Sequence, residues 1–120
     1  MDEIETLQGE EWKEIENTQG KYFVSNLGRV KSYCGNKAII LKPYKKYNGY
    51  VEVKINNKNV MVHKLVAFAF CENRYKNTDI KTETHHKNKN RADNRAENLV
   101  ILSIAEHHKE HNKKEVIDNE

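Results

Sequence analysis

A chain of 120 residues, 37% hydrophobic and 32% charged, forms one domain or two small modules that share little core. This composition excludes a disordered chain, and the absence of a run of eighteen apolar residues excludes a membrane span. The acidic N-terminus does not resemble a secretory signal, and Cys34 and Cys71 lack a CxxC motif. We therefore expect two free thiols and a reducing, cytoplasmic location.

The net charge of +3 conceals a segregation of charge along the chain. Residues 1–20 carry seven acidic residues against one lysine, whereas residues 21–66 carry ten basic residues against Glu52 alone. A basic block of this kind is typical of a protein that binds a polyanion, above all nucleic acid. A solvated, lysine-rich surface without a partner is the alternative.

The first half of the chain predicts short strands after a loose tail at residues 1–10. The segments YFVSN and GRVKSY flank a turn around residues 26–28, and the apolar segment AIILKPY follows them. The segment YVEVKI alternates, which places Val51, Val53 and Ile55 on one face of a strand. Across the polar turn NNKN, the segment VMV can pair back as a hairpin.

The next segment, HKLVAFAF, predicts a helix with Leu65, Phe68 and Ala69 in its buried stripe. A polar linker at residues 72–81 precedes a strand near residues 82–86, a loop, and a second strand at residues 98–102. Ser103 and Glu106 have the spacing of a capping box, which predicts a helix from there to about residue 114.

Five of the six histidines lie on this strand–loop–strand–helix unit. His85 and His86 are adjacent on the first strand, so their side chains point to opposite faces or diverge at the strand end, whereas His107 and His111 share one helix face. Two imidazoles four residues apart, with a third from the strand, make three metal ligands and leave positions open for water and substrate. His86, beside the metal but not bound to it, suits a general base.

The other histidines have simpler interpretations, because most surface histidines have no special role. His108 points away from His107 on the helix, and we predict that it lies on the surface. His63 opens the middle helix and is predicted to form a local hydrogen bond or to contact DNA.

The segment THHKNKNRADNRAENLVILSIAEHHKEH, residues 84–111, resembles the HNH endonucleases. In that family two strands, a loop and a helix form a ββα-metal fold around one divalent ion. The resemblance implies that His86 is the general base and that His85, His107 and His111 are metal ligands. It also implies that Asn98 orients the loop that holds the base. Many homing members carry Asp or Asn at the positions of His85 and His107, and three imidazoles favour zinc, nickel or manganese over magnesium.

Upstream, EEWKEIENTQGKYFVSNLGRVKS resembles the nuclease-associated modular domain that precedes the HNH motif in phage and intron-encoded homing endonucleases. The segment VHKLVAFAF is also typical of those proteins, and together the resemblances span roughly residues 11–112. They imply an α+β fold, with an N-terminal antiparallel β module and a short helix at residues 11–71. A C-terminal ββα-metal motif follows at residues 72–114. The implied location is the cytoplasm of a bacterial or phage-infected cell.

The implied partner is double-stranded DNA. The candidate phosphate contacts are Arg29, Lys31, Lys42, Lys45, Lys46 and Lys54 in the β module and Lys87, Lys89, Arg91 and Arg95 in the HNH loop. Tyr44, Tyr47 and Tyr50 are interleaved with lysines, and they either pack on sugars and bases or serve turn and core packing.

The expected activity is hydrolysis of phosphodiester bonds in DNA with one divalent metal ion, Mn, Ni, Zn or Mg. One chain has one such site, so a monomer would nick one strand and a homodimer would be needed to cut both. Two alternatives stay open: a catalytically silent DNA-binding regulator, and a structural zinc protein with His86 or His108 as the fourth ligand.

Overall fold

The computed structural model describes residues 5–108. The strands are β1 (Trp12–Glu14), β2 (Tyr22–Ser25), β3 (Val30–Ser32), β4 (Ile39–Ile40), β5 (Tyr44–Lys45), β6 (Val51–Ile55), β7 (Lys58–Met61), β8 (Thr82–His86) and β9 (Leu99–Ser103). Helix α1 is Val62–Phe70, a 3-10 turn covers Ala96–Asn98, and helix α2 begins at residue 104 and is described to residue 108. The α+β prediction is confirmed, with antiparallel sheets and few helices.

The strands of the described residues form three antiparallel sheets. Strands β1 to β4 form the first sheet, β5 to β7 the second, and β8 with β9 the third. Asn56 and Asn57 close the β6–β7 hairpin with φ angles of 49° and 65°, a left-handed conformation that asparagine tolerates better than most residues. The polar turn that the sequence predicts is therefore present.

One hydrophobic core connects the sheets through helix α1. Val24 from β2, Val53 from β6 and Leu99 from β9 belong to the same buried cluster as the helix residues. Cys71, directly after the helix, lies with its Sγ 3.5 Å from the backbone oxygen of Leu99. The predicted division of the chain at residue 71 stays a prediction, and a shared core crosses it.

Helix α1 buries a different face from the predicted one. The helix residues that it buries are Val62, His63, Val66 and Ala67. The predicted stripe is wrong because Phe68 is 61% exposed and Leu65 and Ala69 are only partly buried. The segment is apolar on most sides, so its own pattern does not select the inner face. The inner face of the helix is instead set by the direct connection from β7 into the helix at Val62.

The predicted alternation of β6 is present, but burial does not follow it. Glu52 is buried and lies 3.7 Å from the Nζ of Lys46, while Val51 is only partly buried. The ion pair with Lys46 accounts for a buried carboxylate on the face that also carries the exposed Lys54.

The predicted loose tail is ordered near its end. Residues 1–4 lie outside the described residues, but Leu7 and Glu10 form a turn in which the amide of each hydrogen-bonds to an oxygen of the other. Both cysteines are free thiols, as predicted. Within residues 5–108, no helix is long and apolar enough to cross a membrane.

Candidate active site

Strand β8 presents two adjacent histidines to different environments. The strand pairs antiparallel with β9, with His85 opposite Val100 and His86 opposite Leu99. Because successive side chains of a strand point to opposite faces, His86 turns inward and is 6% exposed, whereas His85 is only partly buried. This is the placement that the sequence predicts for the two imidazoles.

The ring of His86 has one nitrogen committed to a buried amide. Its Nε2 lies 2.8 Å from the Oδ1 of Asn94, which is itself 6% exposed. An amide oxygen only accepts hydrogen bonds, so Nε2 carries the proton and Nδ1 of the neutral ring carries the lone pair. Asn94 therefore selects the tautomer in which Nδ1 can accept a proton.

Asn94 is held in place by the turn between β2 and β3. Gly28 in that turn has φ +93°, and a Cβ atom there would lie 3.2 Å from the backbone oxygen of Asn94. The backbone oxygen of Asn26 accepts a hydrogen bond of 2.7 Å from the amide of Ala96. The first sheet thus supports the loop from which Asn94 reaches His86, a role that the sequence analysis missed.

Asn98 joins the two ends of the same loop. Its Oδ1 accepts a hydrogen bond of 3.1 Å from the amide of Asn88, and its Nδ2 donates to the Asn88 Oδ1 and the Asp93 backbone oxygen at 2.9 Å. The backbone oxygen of Asn98 accepts from the amide of Lys87 at 2.8 Å. Asn98 is buried, and these bonds fit the predicted role of orienting the loop.

His85 and His107 face each other across β8 and α2. Their ring centroids are 5.1 Å apart in an edge-on arrangement, and the Nδ1 of His107 lies 2.9 Å from the Oε2 of Glu83. When His107 is neutral, Nδ1 donates to this carboxylate, and Nε2 becomes the unprotonated nitrogen. A carboxylate that orients an imidazole in this way is a common partner of metal-binding histidines.

The described residues supply two of the three predicted metal ligands. His111, the third, lies outside the described residues. Among residues 5–108, no group of three or more His, Cys, Asp or Glu side chains has the arrangement of a complete metal site. The imidazoles of His85 and His107 nevertheless fit a divalent ion that has borderline-soft preferences and takes further ligands from elsewhere.

His63 occupies a position that the sequence analysis did not foresee. It is 5% exposed, its ring centroid lies 5.1 Å from those of both His86 and Tyr50, and its Nδ1 has no hydrogen-bond partner among residues 5–108. Burial, reinforced by the nearby His86 and Lys64, lowers the pKa of His63 from 6.5 to about 4. The predicted local hydrogen bond or DNA contact stays a prediction, and within the fold His63 is a neutral packing partner of His86.

The histidines open into a cleft of about 350 Å³. The residues that line this cleft are Tyr50, Thr84, His85, His86, Lys89, Arg91 and His107. His85 and His86 reach the same cleft from opposite faces because β8 ends at His86 and the chain turns there. The amide of Lys89 bonds the backbone oxygen of His86 at 3.0 Å, and Lys89 has φ +63°.

Most of the predicted phosphate contacts lie on the protein surface. The exposed ones are Lys42, Lys45, Lys54, Lys87, Lys89, Arg91 and Arg95. Lys46 is partly buried beside Glu52, and Lys31 is partly buried with its Nζ 4.2 Å from the ring centroid of Trp12. Arg95 bonds Asp93 through its Nε at 2.8 Å, and it holds the pKa of that carboxyl down to about 2.

Arg29 is paired within the fold and is no longer a proposed phosphate contact. Its Nε donates to the Oε2 of Glu10 at 2.9 Å, and its Nη2 donates to the backbone oxygen of Glu5 at 2.8 Å. The guanidinium lowers the pKa of Glu10 from 4.5 to about 2. The charge of Arg29 is thus neutralised within the fold, where it holds the N-terminal segment against β3.

Known proteins resemble this chain in sequence and in fold. Residues 10–56 match the NUMOD4 motif. Over 106 residues the chain is 35% identical to the Uncharacterized HNH endonuclease L247 of Acanthamoeba polyphaga mimivirus. This alignment covers 82% of this chain and 25% of the relative. Over 93 residues the chain is 34% identical to the DNA endonuclease I-HmuI of Bacillus phage SP01. This alignment covers 74% of this chain and 50% of the relative. The chain is a homologue of the HNH homing endonucleases.

The structural comparison covers a larger share of this HNH homologue than the two sequence comparisons do. A solved structure of the HNH homing endonuclease I-HmuI, which describes its DNA binding and cleavage, matches this chain. The TM-score is 0.74 and the sequence identity is 29%. The match covers 87% of this chain and 59% of the I-HmuI chain. This chain spans half or less of the length of each of the two curated relatives. The predicted order of a nuclease-associated module followed by an HNH motif is confirmed.

Proposed function

We propose that the chain hydrolyses phosphodiester bonds in double-stranded DNA with the help of a divalent metal ion. The observation that carries this proposal is the geometry of His86. Its Nε2 is committed to the buried amide of Asn94, so Nδ1 is a proton acceptor in the cleft that His85 and His107 also line. The relatives, named as HNH endonucleases and as a DNA endonuclease, support the same class of reaction.

The reaction begins with a water molecule in the cleft. The Nδ1 of His86 removes a proton from this water as its oxygen attacks the phosphorus in line with the departing 3′ oxygen. The bond from phosphorus to the 3′ oxygen breaks, and that oxygen takes up a proton from solvent water, while His86 later releases its proton to solvent. The products carry a 5′-phosphate and a 3′-hydroxyl group.

Asn94 and Asn98 position the base rather than touch the substrate. Asn94 keeps the proton of His86 on Nε2, so that Nδ1 carries the lone pair of a ring that lines the cleft. Asn98 fixes the loop in which Asn94 lies, through its bonds to Asn88 and Asp93. Such partners commonly change activity by about 10–100-fold when they are removed.

His85 and His107 are the side chains that would hold the metal ion, with His111 as the proposed third ligand. Glu83 orients His107 through the bond to its Nδ1. When bound, such an ion would stabilise the negative charge that develops on the phosphate oxygens. Imidazole ligands favour manganese, nickel or zinc over magnesium.

Basic side chains would hold the DNA backbone, with Lys89 and Arg91 lining the cleft itself. The residues proposed for this role are Lys42, Lys45, Lys46 and Lys54 on the second sheet and Lys87, Lys89 and Arg91 on the loop. Each phosphate contact adds roughly one counterion to the salt dependence of binding. Because residues 5–108 form one such cleft, a monomer nicks one strand, and two chains are needed for a double-strand break.

The test is conversion of supercoiled plasmid to nicked circles by the purified chain. Reactions contain Mn²⁺, Ni²⁺, Zn²⁺ or Mg²⁺, with a chelator as the control. We expect nicking that depends on the ion, and a loss of about 10²–10⁴-fold in His86→Ala. His108→Ala is the matched control because His108 is exposed on α2, and it should nick like the wild type. No nicking with any ion, or equal nicking by His86→Ala, would refute the proposed function.

A further inference from the structure

A rigid turn stands beside the cleft at the end of the β5–β6 hairpin, at residues 46–49 (the hairpin tip). The amide of Lys46 donates to the Tyr50 backbone oxygen at 2.8 Å, and the amide of Gly49 donates to the Lys46 backbone oxygen at 2.9 Å. Gly49 has φ +92°, a conformation that other residues rarely adopt, and the Asn48 Oδ1 accepts from the Tyr50 amide at 3.2 Å. The hairpin tip is therefore fixed before any partner binds.

The hairpin tip displays an aromatic ring to solvent. Tyr47 is 99% exposed, and Tyr44, three residues earlier on β5, is 67% exposed. Tyr50 differs because its ring lies under the guanidinium of Arg91, 4.6 Å from its carbon, and packs on His63. A single exposed apolar residue is ordinary on protein surfaces. The informative feature of Tyr47 is its place on a rigid turn among basic side chains.

The hairpin tip is tied to the loop that carries the proposed base. The Nη1 of Arg91 donates to the backbone oxygen of Asn48 at 3.0 Å, and a Cβ atom at Gly49 would lie 3.5 Å from the Cβ of Arg91. The ring of Tyr50 lies 6.2 Å from that of His86. The hairpin tip therefore adjoins the cleft through Tyr50 and Arg91, both of which line it.

The charge around the hairpin tip selects the kind of partner. Lys42 and Lys45 are exposed on the same hairpin, and Lys89 and Arg91 are exposed on the adjoining loop. Glu52 lies 3.7 Å from the Nζ of Lys46 and offsets the charge of that lysine. A fixed aromatic ring among cations matches the two components of DNA, which are stacked bases and a chain of phosphates.

We propose that Tyr47 packs against the bases of the bound duplex at a locally unstacked step beside the scissile phosphate. This inference rests on the proposed function, since it places DNA in the cleft. Stacking on an aromatic ring tolerates any base, and the cost of unstacking is least where the duplex is already weakened. Tyr47 thus makes the protein sensitive to how easily the duplex deforms rather than to the identity of a base.

The experiment measures binding of a short duplex that is either fully paired or carries one central mismatch. All proteins contain His86→Ala, so that the DNA stays intact. With Tyr47 present, the mismatched duplex should bind more tightly than the paired one. Tyr47→Ala should lose this preference and bind the mismatched duplex at least about fivefold more weakly, the smaller end of the measured range for stacking. Its salt dependence should not change, because no charge is lost.

Two further variants separate stacking from general effects. Tyr47→Phe keeps the ring and should retain the preference for the mismatch. Ile39→Ala removes a residue of β4 that is 53% exposed, and it should bind both duplexes like the parent protein. Equal affinity of Tyr47→Ala and parent for the mismatched duplex would overturn the proposal. An equal loss on both duplexes would also overturn it.

The outcome is separable from that of the proposed function. If the wild type fails to nick plasmid but the mismatch preference depends on Tyr47, the proposed function fails and the contact of Tyr47 with the bases of a duplex stands. If the wild type nicks plasmid and Tyr47→Ala keeps the preference, this inference fails alone.

Discussion

Replacing Asn94 tests the proposed mechanism most directly. In Asn94→Leu the side chain keeps a similar size and loses the oxygen that accepts from the Nε2 of His86. Asn94→Asp keeps an acceptor at the same place. Because both Asn94 and His86 are 6% exposed, the Nε2–H of the Leu variant is left in a site that water does not readily fill.

The size of the effect follows from the lost bond, which is 2.8 Å long in the wild type. A buried donor without a partner costs about 1–3 kcal/mol, and loss of an orienting partner commonly costs about 10–100-fold in activity. Some rings will move their proton to Nδ1, where it blocks the acceptance of a proton from water. We therefore expect Asn94→Leu to nick about 10–100-fold more slowly and Asn94→Asp to stay within several-fold of the wild type.

The assay is single-turnover nicking, with DNA binding and thermal unfolding measured on the same samples. Binding should change little, because Asn94 is buried and makes no proposed contact with DNA. Nitrogen NMR of the His86 ring should show the proton on Nε2 in the wild type and in Asn94→Asp. Asn36→Leu, at an exposed asparagine between β3 and β4, is the control. A wild-type ring with its proton on Nδ1, or full activity in Asn94→Leu, would refute the reasoning.

Three other changes test the support, the stability and the metal preference of the site. Gly28→Ala forces a side chain onto φ +93° and onto the Asn94 backbone oxygen 3.2 Å away, so it should cost about 1–3 kcal/mol in urea unfolding and slow nicking. Gly35→Ala meets no atom within 4 Å and should do neither. Glu10 has its pKa lowered from 4.5 to about 2 by Arg29, so the stability it adds is complete above pH 4.5 and is lost as the pH falls towards 2. Glu10→Gln should remove that pH dependence and cost about 1–3 kcal/mol near neutral pH, a range reduced for screening because the Arg29 side chain is 26% exposed. If the free energy of unfolding of Glu10→Gln fell with pH between 4.5 and 2 as it does in the wild type, this assignment would be contradicted. His85→Asp should shift nicking from manganese towards magnesium, while His108→Asp should not, and equal preference for magnesium in wild type and His85→Asp would argue against imidazole ligation.

The sequence by itself determined the elements that depend on neighbouring residues. The alternation of β8 puts His85 and His86 on opposite faces, and the capping box begins α2 through reciprocal bonds of Ser103 and Glu106 at 3.0 and 3.2 Å. The β6–β7 turn and the position of Asn98 at the end of the loop follow from equally short spacings. These features are local, so the order of residues is enough to predict them.

Tertiary structure alone decided which side chains support these elements. The loop between β8 and β9 contains four asparagines, Asn88, Asn90, Asn94 and Asn98, and nothing in their spacing says which one faces His86. The choice of Asn94 depends on the turn at Gly28, which packs against its backbone from a distant part of the chain. The burial of His63 and the pairing of Arg29 with Glu10 have the same origin. Each depends on how separate sheets and α1 pack together, and local periodicity carries no information about that packing.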